Sequence, residues 1–248
     1  MIGAGIWAYW VSMRILAIDT ALPAVSACVL DRDAETPVAS ETIPMERGHG
    51  EALVPLIQRV VGRTDGGFDA LDRVAVTVGP GSFTGIRIGL AAAQAIALAC
   101  KADVVGVSTL SALAAPLMGN EKDGVVCAAV DARYGKIFVA AFGADGRPIL
   151  APRREGVVEA LRAMGAGPLT FVGSGAELLA REARARGVGF RIASGEAWPE
   201  IEYVARLGVV ADPERAPARP LYLKEPEVTM PKSALGIRPA TASSQPRG

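Results

Sequence analysis

Between Arg73 and Cys100 the sequence runs from a mostly apolar segment that reads as a buried strand, Arg73 to Val78, through Gly79-Pro80-Gly81-Ser82-Phe83-Thr84-Gly85 into an alanine-rich helix, Ile86 to Cys100. A buried strand is covered on both faces, and a strand that feeds a helix across a glycine turn is a unit of a parallel sheet with helical crossovers. Upstream, Ile15 to Ile18, Ala24 to Leu30 and Val38 to Ile43 read as short strands separated by Asp19, Pro23, Asp31 and Asp33. Leu53, Val54, Leu56, Ile57, Val60 and Val61 then recur at three-and-four spacing, which predicts a helix closing near Gly62, with Pro55 imposing a kink or a late start. Asp103 to Val107 supplies one more strand.

The same order returns in the second half. Val125 to Val130 ends at Asp131, Ile137 to Phe142 follows, and Arg147 to Leu150 supplies a third strand. Val157 to Met164 reads as a short helix and Leu169 to Val172 as a strand. Gly173-Ser174-Gly175 is a second glycine turn, and Ala176 to Arg186 a further helix. A meander followed by strand, glycine turn and helix, written twice, predicts an α/β chain of the actin-like ATPase (ASKHA) fold, with two related lobes of mixed sheet and flanking helices. The lobes are expected at 13–113 and 114–226, with a return of the second lobe's last segment to the first as the alternative. Residues 1–12, MIGAGIWAYWVS, read as a start-site extension ahead of Met13, and the proline-rich, polar residues 227–248 as a flexible tail.

Composition narrows the function. Among 248 residues, 26 Lys plus Arg balance 26 Asp plus Glu, so the totals imply no strongly basic face and no tight independent RNA binding. Cys28, Cys100 and Cys127 sit in apolar runs without paired spacing, as expected of reduced, buried thiols in a cytoplasmic protein. The apolar start is too short to span a bilayer, and no membrane association is expected.

Four segments carry possible chemistry. Asp19-Thr20-Ala21-Leu22-Pro23 stands where an actin-like kinase would wrap amides around a phosphate, but it has no glycine and Pro23 has no amide. Asp19 would hold magnesium through water or, more simply, cap the turn. In the run Gly79 to Gly89, a helix start with Ser82 and Thr84 suits an anion, although no Walker lysine follows. Close packing of another helix against Gly85, Gly89 and Ala91, Ala92, Ala93 and Ala95 is the competing explanation. His49 is the only histidine, too few for a zinc or iron site, and no Gly-x-Ser-x-Gly elbow accompanies it. Gly173 and Gly175 would floor an adenine pocket or pack a helix tightly.

Together these segments resemble the TsaB (YeaZ) family, from Met13 to about Pro226. The matching motifs are Ile15-Leu16-Ala17-Ile18-Asp19-Thr20-Ala21, His49-Gly50-Glu51 with Leu53 and Pro55, Gly79 through Gly89, Asp131-Ala132-Arg133-Tyr134-Gly135, and Pro220-Leu221-Tyr222-Leu223-Lys224. Gly50 stands where the family usually has serine, and Lys224 where it has arginine. The resemblance implies a non-catalytic dimerisation subunit of the machinery that puts threonylcarbamoyl on N6 of the adenosine beside the anticodon of ANN-decoding tRNAs. No cofactor would be bound tightly here, ATP and a metal ion being used by the complex. Implied partners are a homologous, metal-containing TsaD-like catalytic subunit, a small TsaE-like ATPase subunit, tRNA through the complex, and a second copy when the chain is alone. The docking face would fall on Glu51, Leu53, Val54, Ile57, Gly85, Ile86, Gly89, Ala92, Ala93 and Ile96. Vestigial nucleotide contacts would come from Asp19, Thr20, Gly79, Gly81, Ser82, Asp131, Gly173 and Gly175. A weak actin-like ATPase or small-molecule kinase is the alternative, with a metallopeptidase behind it.

Overall fold

The computed structural model describes residues 13–119, 124–165 and 167–223. The 1–12 extension, the 227–248 tail and Lys224 lie outside them. The first sheet is built from β1 (Arg14–Asp19), β2 (Ala24–Asp31), β3 (Ala39–Pro44), β4 (Arg73–Gly79) and β5 (Asp103–Ser108), in the order β3-β2-β1-β4-β5. β1 and β2 pair antiparallel, β1 and β4 parallel, β4 and β5 parallel. The second sheet contains β6 (Val125–Asp131), β7 (Lys136–Gly143), β8 (Pro148–Gly156), β9 (Leu169–Val172) and β10 (Phe190–Ile192), in the order β10-β9-β6-β7-β8. Read from its meander edge, it repeats the order of the first. This duplicated mixed sheet with flanking helices is the actin-like architecture.

Helices α1 (His49–Val61) and α2 (Phe83–Cys100) cover one face of the first sheet. α1 starts at His49 and runs through Pro55, so proline does not delay it; Pro55 lies on the exposed side. α2 begins at Phe83, one turn before the apolar pattern suggests, because the Ser82 hydroxyl caps it by accepting from the Gly85 amide at 3.2 Å. α3 (Thr109–Ala114) joins the lobes, its Leu110 and Leu113 meeting Val126, Ala128 and Phe142 of the second sheet in one continuous core. α4 (Val157–Ala163) and α5 (Ala176–Ala185) cover the outer face of that sheet.

α6 (Ile201–Val210) packs on the far face of the first sheet, where Ile201, Val204 and Ala205 meet Ile15, Ala17 and Val105. Gly208 is what lets α6 seat: a Cβ there would lie 2.4 Å from the Ala75 Cβ. Arg73, 7% exposed, donates through Nη1 to the carbonyls of Gly208, Val209 and Ala211 at 3.1, 3.3 and 2.9 Å, placing a cation on the carboxyl end of the helix. Beyond α6 the backbone stays on the first lobe, with Gly106 donating to Ala216 and Leu221 to Val78.

Candidate functional site

A cleft of about 1050 Å³ lies between the lobes. Its first-lobe wall consists of the β1–β2 turn at Ala21 to Pro23, the entry to α1 from Glu46 to Glu51, and the start of α2 at Gly81, Ser82 and Thr84. Val130 to Arg133, Phe138 and Ser174 form the opposite wall. Glu46, Glu51 and Asp131 line the cleft together with Arg47 and Arg133, so carboxylates and guanidinium groups are mixed and no single sign of charge dominates.

The β1–β2 turn is closed on itself. Asp19 Oδ1 accepts from the Ala21 amide at 3.0 Å and from the Thr77 hydroxyl at 2.5 Å. The Ala24 amide donates to the Leu22 carbonyl, and Pro23 has none to give. Thr20, wholly buried, donates its hydroxyl to the Gly85 carbonyl at 2.7 Å. A phosphate would find these amides already engaged, so the turn is a packing element rather than a cradle.

Several positions expected at a vestigial nucleotide site are therefore corrected. Asp19 and Thr20 have no exposed surface and do not line the cleft. Gly79, at φ +109°, leaves β4 beneath Ile86 and the Leu221 carbonyl. Gly173 and Gly175 lie behind the cleft against Ala129, where a Cβ on Gly173 would come 2.5 Å from the Ala129 carbonyl oxygen. Ser174 between them reaches the cleft instead, its hydroxyl accepting from the Asp131 amide at 3.1 Å. Gly81, Ser82 and Asp131 do line it, although the space beside Gly81 is taken by the Ala21 carbonyl oxygen, 2.2 Å from a built Cβ. Asp131 Oδ1 is engaged by the Arg133 amide at 2.7 Å. Arg133 and Tyr134 both take positive φ, 63° and 55°, and Tyr134 projects from the turn 96% exposed.

Asp19 is an unusual carboxylate. It is fully buried, and Oδ2 has no hydrogen-bond partner among the described residues. Burial pushes its pKa up against the opposing pull of the Thr77 hydroxyl and the Ala21 amide. Ser26, its register partner on β2, also carries a buried hydroxyl without a partner. His49 Nε2 lies 3.1 Å from the Leu22 carbonyl and donates to it, tying α1 to the turn. Among the described residues no three His, Cys, Asp or Glu side chains gather as metal ligands. Burial raises the thiol pKa of both Cys28 and Cys127 to about 12, leaving them protonated and inert.

The expected docking face needs a second correction. Leu53, Ile57, Gly85, Ile86, Gly89 and Ala93 point inward. Gly85 and Gly89 do serve close approach, but of α2 onto Thr20: a Cβ on Gly85 would stand 2.1 Å from the Thr20 carbonyl oxygen. The outward surface is formed by Glu51, Val54 and Gln58 of α1 and by Thr84, Arg87, Ala91, Ala95 and Leu98 of α2, with Ala92 and Ile96 half-buried against the core. Leu98 is 83% exposed and Val54 53%. α2 is the one helix among the described residues long and apolar enough to cross a membrane. Its seating on the first sheet through Leu90, Ala93 and Ala97 makes it a core helix with an uncovered apolar flank.

Residues 42–168 match the family model for TsaD: tRNA N6-adenosine threonylcarbamoyltransferase. The chain is 36% identical over 133 residues to the tRNA threonylcarbamoyladenosine biosynthesis protein TsaB of Escherichia coli K12, covering 54% of this chain and 56% of that one. It is 32% identical over 126 residues to the protein of the same description from Bacillus subtilis, covering 51% and 53%. The chain thus spans about half the length of these curated relatives. The solved structure of YeaZ from Pseudomonas aeruginosa superposes with a TM-score of 0.65 at 23% identity, covering 85% of this chain and all of that one, which shows a shared fold. A second Pseudomonas aeruginosa structure, described as similar to peptidase YeaZ, gives a TM-score of 0.69 at 23% identity over 86% of this chain. The chain therefore belongs to the family described as TsaD: tRNA N6-adenosine threonylcarbamoyltransferase, and about half of it is similar to curated TsaB proteins.

Proposed function

We propose that this chain is a non-catalytic docking subunit in the synthesis of threonylcarbamoyladenosine on tRNA, holding a homologous catalytic subunit in its working state. The observation that carries this role is the outer flank of α2. Eighteen residues long, that helix contains one charged side chain and leaves Phe83, Ala91, Ala95 and Leu98 facing out. An apolar helical flank of this kind is a protein-binding surface rather than an RNA-binding one, because RNA backbones call for several cations. The inward burial of Asp19 supports the same role: the strand-end carboxylate is spent on the fold and faces no substrate.

In the working complex the catalytic partner supplies the metal centre and the threonylcarbamoyl donor site, and a small ATPase subunit binds beside the pair. tRNA is engaged through the assembly, whose place is the cytoplasm. In the absence of the partner a second copy covers the same flank. Light scattering on the chain alone, and mixed with the catalytic subunit, tests this directly. A homodimer that gives way to a heterodimer is expected, and Leu98→Glu should leave a folded monomer that joins neither. A monomeric wild type that ignores the partner would refute the docking role.

The cleft favours one competing activity. Asp131, Arg133, Ser174 and Thr84 converge on a space large enough for a nucleotide, so a weak ATPase stands as the second reading. Heat stabilisation of the isolated chain by ATP with magnesium, lost in Asp131→Asn, would support it.

A further inference from the structure

At the start of α2, Arg87 is held in an aromatic clamp. Its guanidinium carbon lies 3.8 Å from the centre of the Phe83 ring, and its Nε and Nη2 donate to the Tyr222 hydroxyl at 3.3 and 3.2 Å. Phe83 and Tyr222 stack with centroids 5.8 Å apart, each more than half exposed. Tyr222 is anchored by its neighbour Leu221, whose amide donates to Val78 of β4. The guanidinium is thus fixed in place at the surface before anything binds to it.

Arg87 is the only charged residue of α2, and no described carboxylate pairs with it. Some surface arginines are paired with carboxylates, as Arg14 is with Asp31, Arg59 with Glu41 and Arg206 with Glu202, whereas Arg87 is held by two aromatic side chains. A stacked, hydrogen-bonded guanidinium gives up little side-chain entropy when it accepts an anion, and an apolar surround strengthens the pairing by excluding water. Its apolar surround is the Phe83 and Tyr222 rings, and the exposed Ala91, Ala95 and Leu98 continue the same flank one to three turns further along α2.

Resting on the docking role proposed above, we infer that Arg87 is the specificity-determining residue of that flank, receiving a carboxylate presented by an apolar helix of the catalytic partner. The partner matches the chemistry of the surface: small or apolar side chains against Ala91, Ala95 and Leu98, and one Asp or Glu opposite Arg87. A lone cation on a neutral flank gives no basic track, which favours a protein carboxylate over a nucleic acid phosphate.

The test is calorimetric titration of the full chain with the intact catalytic subunit, comparing wild type, Arg87→Ala, Arg87→Glu and Leu98→Glu. Melting temperatures and circular dichroism verify that each variant is folded. Leu98→Glu should abolish binding, Arg87→Ala should weaken it about tenfold and Arg87→Glu further, as for a desolvated interfacial ion pair. The wild-type Kd should rise between ~50 and ~500 mM NaCl, and the Arg87→Ala value should change little. If Leu98→Glu abolishes binding while Arg87→Glu binds like wild type, the flank docks but Arg87 does not select, and the inference fails alone. If neither variant changes the affinity, the docking role itself fails. A chain ending at Leu223 is the further control: loss of the Arg87→Ala effect in that background would assign the carboxylate to Glu225 or Glu227 of the chain itself and overturn the inference.

Discussion

Gly89 of α2 lies directly against Thr20: a Cβ on Gly89 would stand 2.5 Å from the Thr20 hydroxyl oxygen, while that hydroxyl donates to the carbonyl of Gly85, one turn earlier. The helix therefore touches the β1–β2 turn at two glycines, and a side chain at either must displace the turn. Gly85→Ala meets backbone, 2.1 Å from a carbonyl oxygen, and is expected to cost about 2–4 kcal/mol despite the better helix propensity of alanine. Gly89→Ala meets a side chain that can rotate at the loss of its hydrogen bond, and should cost about 1–2 kcal/mol. Urea unfolding of the two variants gives the order; a more damaging Gly89→Ala would contradict the seating described here.

The buried carboxyl of Asp19 makes a prediction about pH. Its pKa in the folded chain lies above the ordinary 3.8, chiefly because burial disfavours the charge. Below 3.8 the group is protonated in both states. As pH rises past that value the unfolded chain ionises first, so this contribution to stability declines until pH passes the folded pKa. Asp19→Asn cannot ionise, and its advantage over wild type should grow through this range when melting temperatures are compared from pH 4 upward. Parallel profiles would show that Asp19 is ionised at no cost in the fold.

Arg73 fastens the end of α6 to the first sheet through three carbonyls. Arg73→Met keeps the stem but strands those acceptors, with an expected loss of about 2–4 kcal/mol. Amide exchange should speed up over 201–211 ahead of the remainder of the first lobe. Uniform acceleration across the lobe would mean that α6 does not depend on this latch.

Thiol chemistry gives an inexpensive check on the core. Cys28 and Cys127 are fully buried, whereas Cys100 is partly exposed at the end of α2. An aromatic disulfide reagent should label Cys100 in the native protein and the other two only after denaturation. Native labelling of Cys127 would mean that the second sheet opens.

Much of the fold was legible because its signals are local. Strand patterns bounded by Asp, Pro and Gly located the two meanders, and the glycine turns located β4–α2 and β9–α5. α6 was missed because Ile201, Val204, Val209 and Val210 are β-branched and Gly208 interrupts the run, so propensity disfavours a helix that packing against Ala75 imposes. The i,i+4 pair Glu202–Arg206 was the available clue. β10 has only three residues, too few to show a period. The candidate site was less legible. The sequence places Gly85 and Gly89 on a packing face without saying that the face is internal. It likewise gives no sign that Arg87 meets Tyr222, 135 positions away.

The central claim is that this chain contributes a surface rather than chemistry, and threonylcarbamoyl transfer to unmodified tRNA by the reconstituted complex tests it most directly. With the catalytic and ATPase subunits present, leaving out this chain should lower the rate about tenfold or more, and Leu98→Glu should behave like omission while Asp131→Asn behaves like wild type. A rate indifferent to the chain, or one lost in Asp131→Asn with the complex intact, would contradict the account and place chemistry in its cleft.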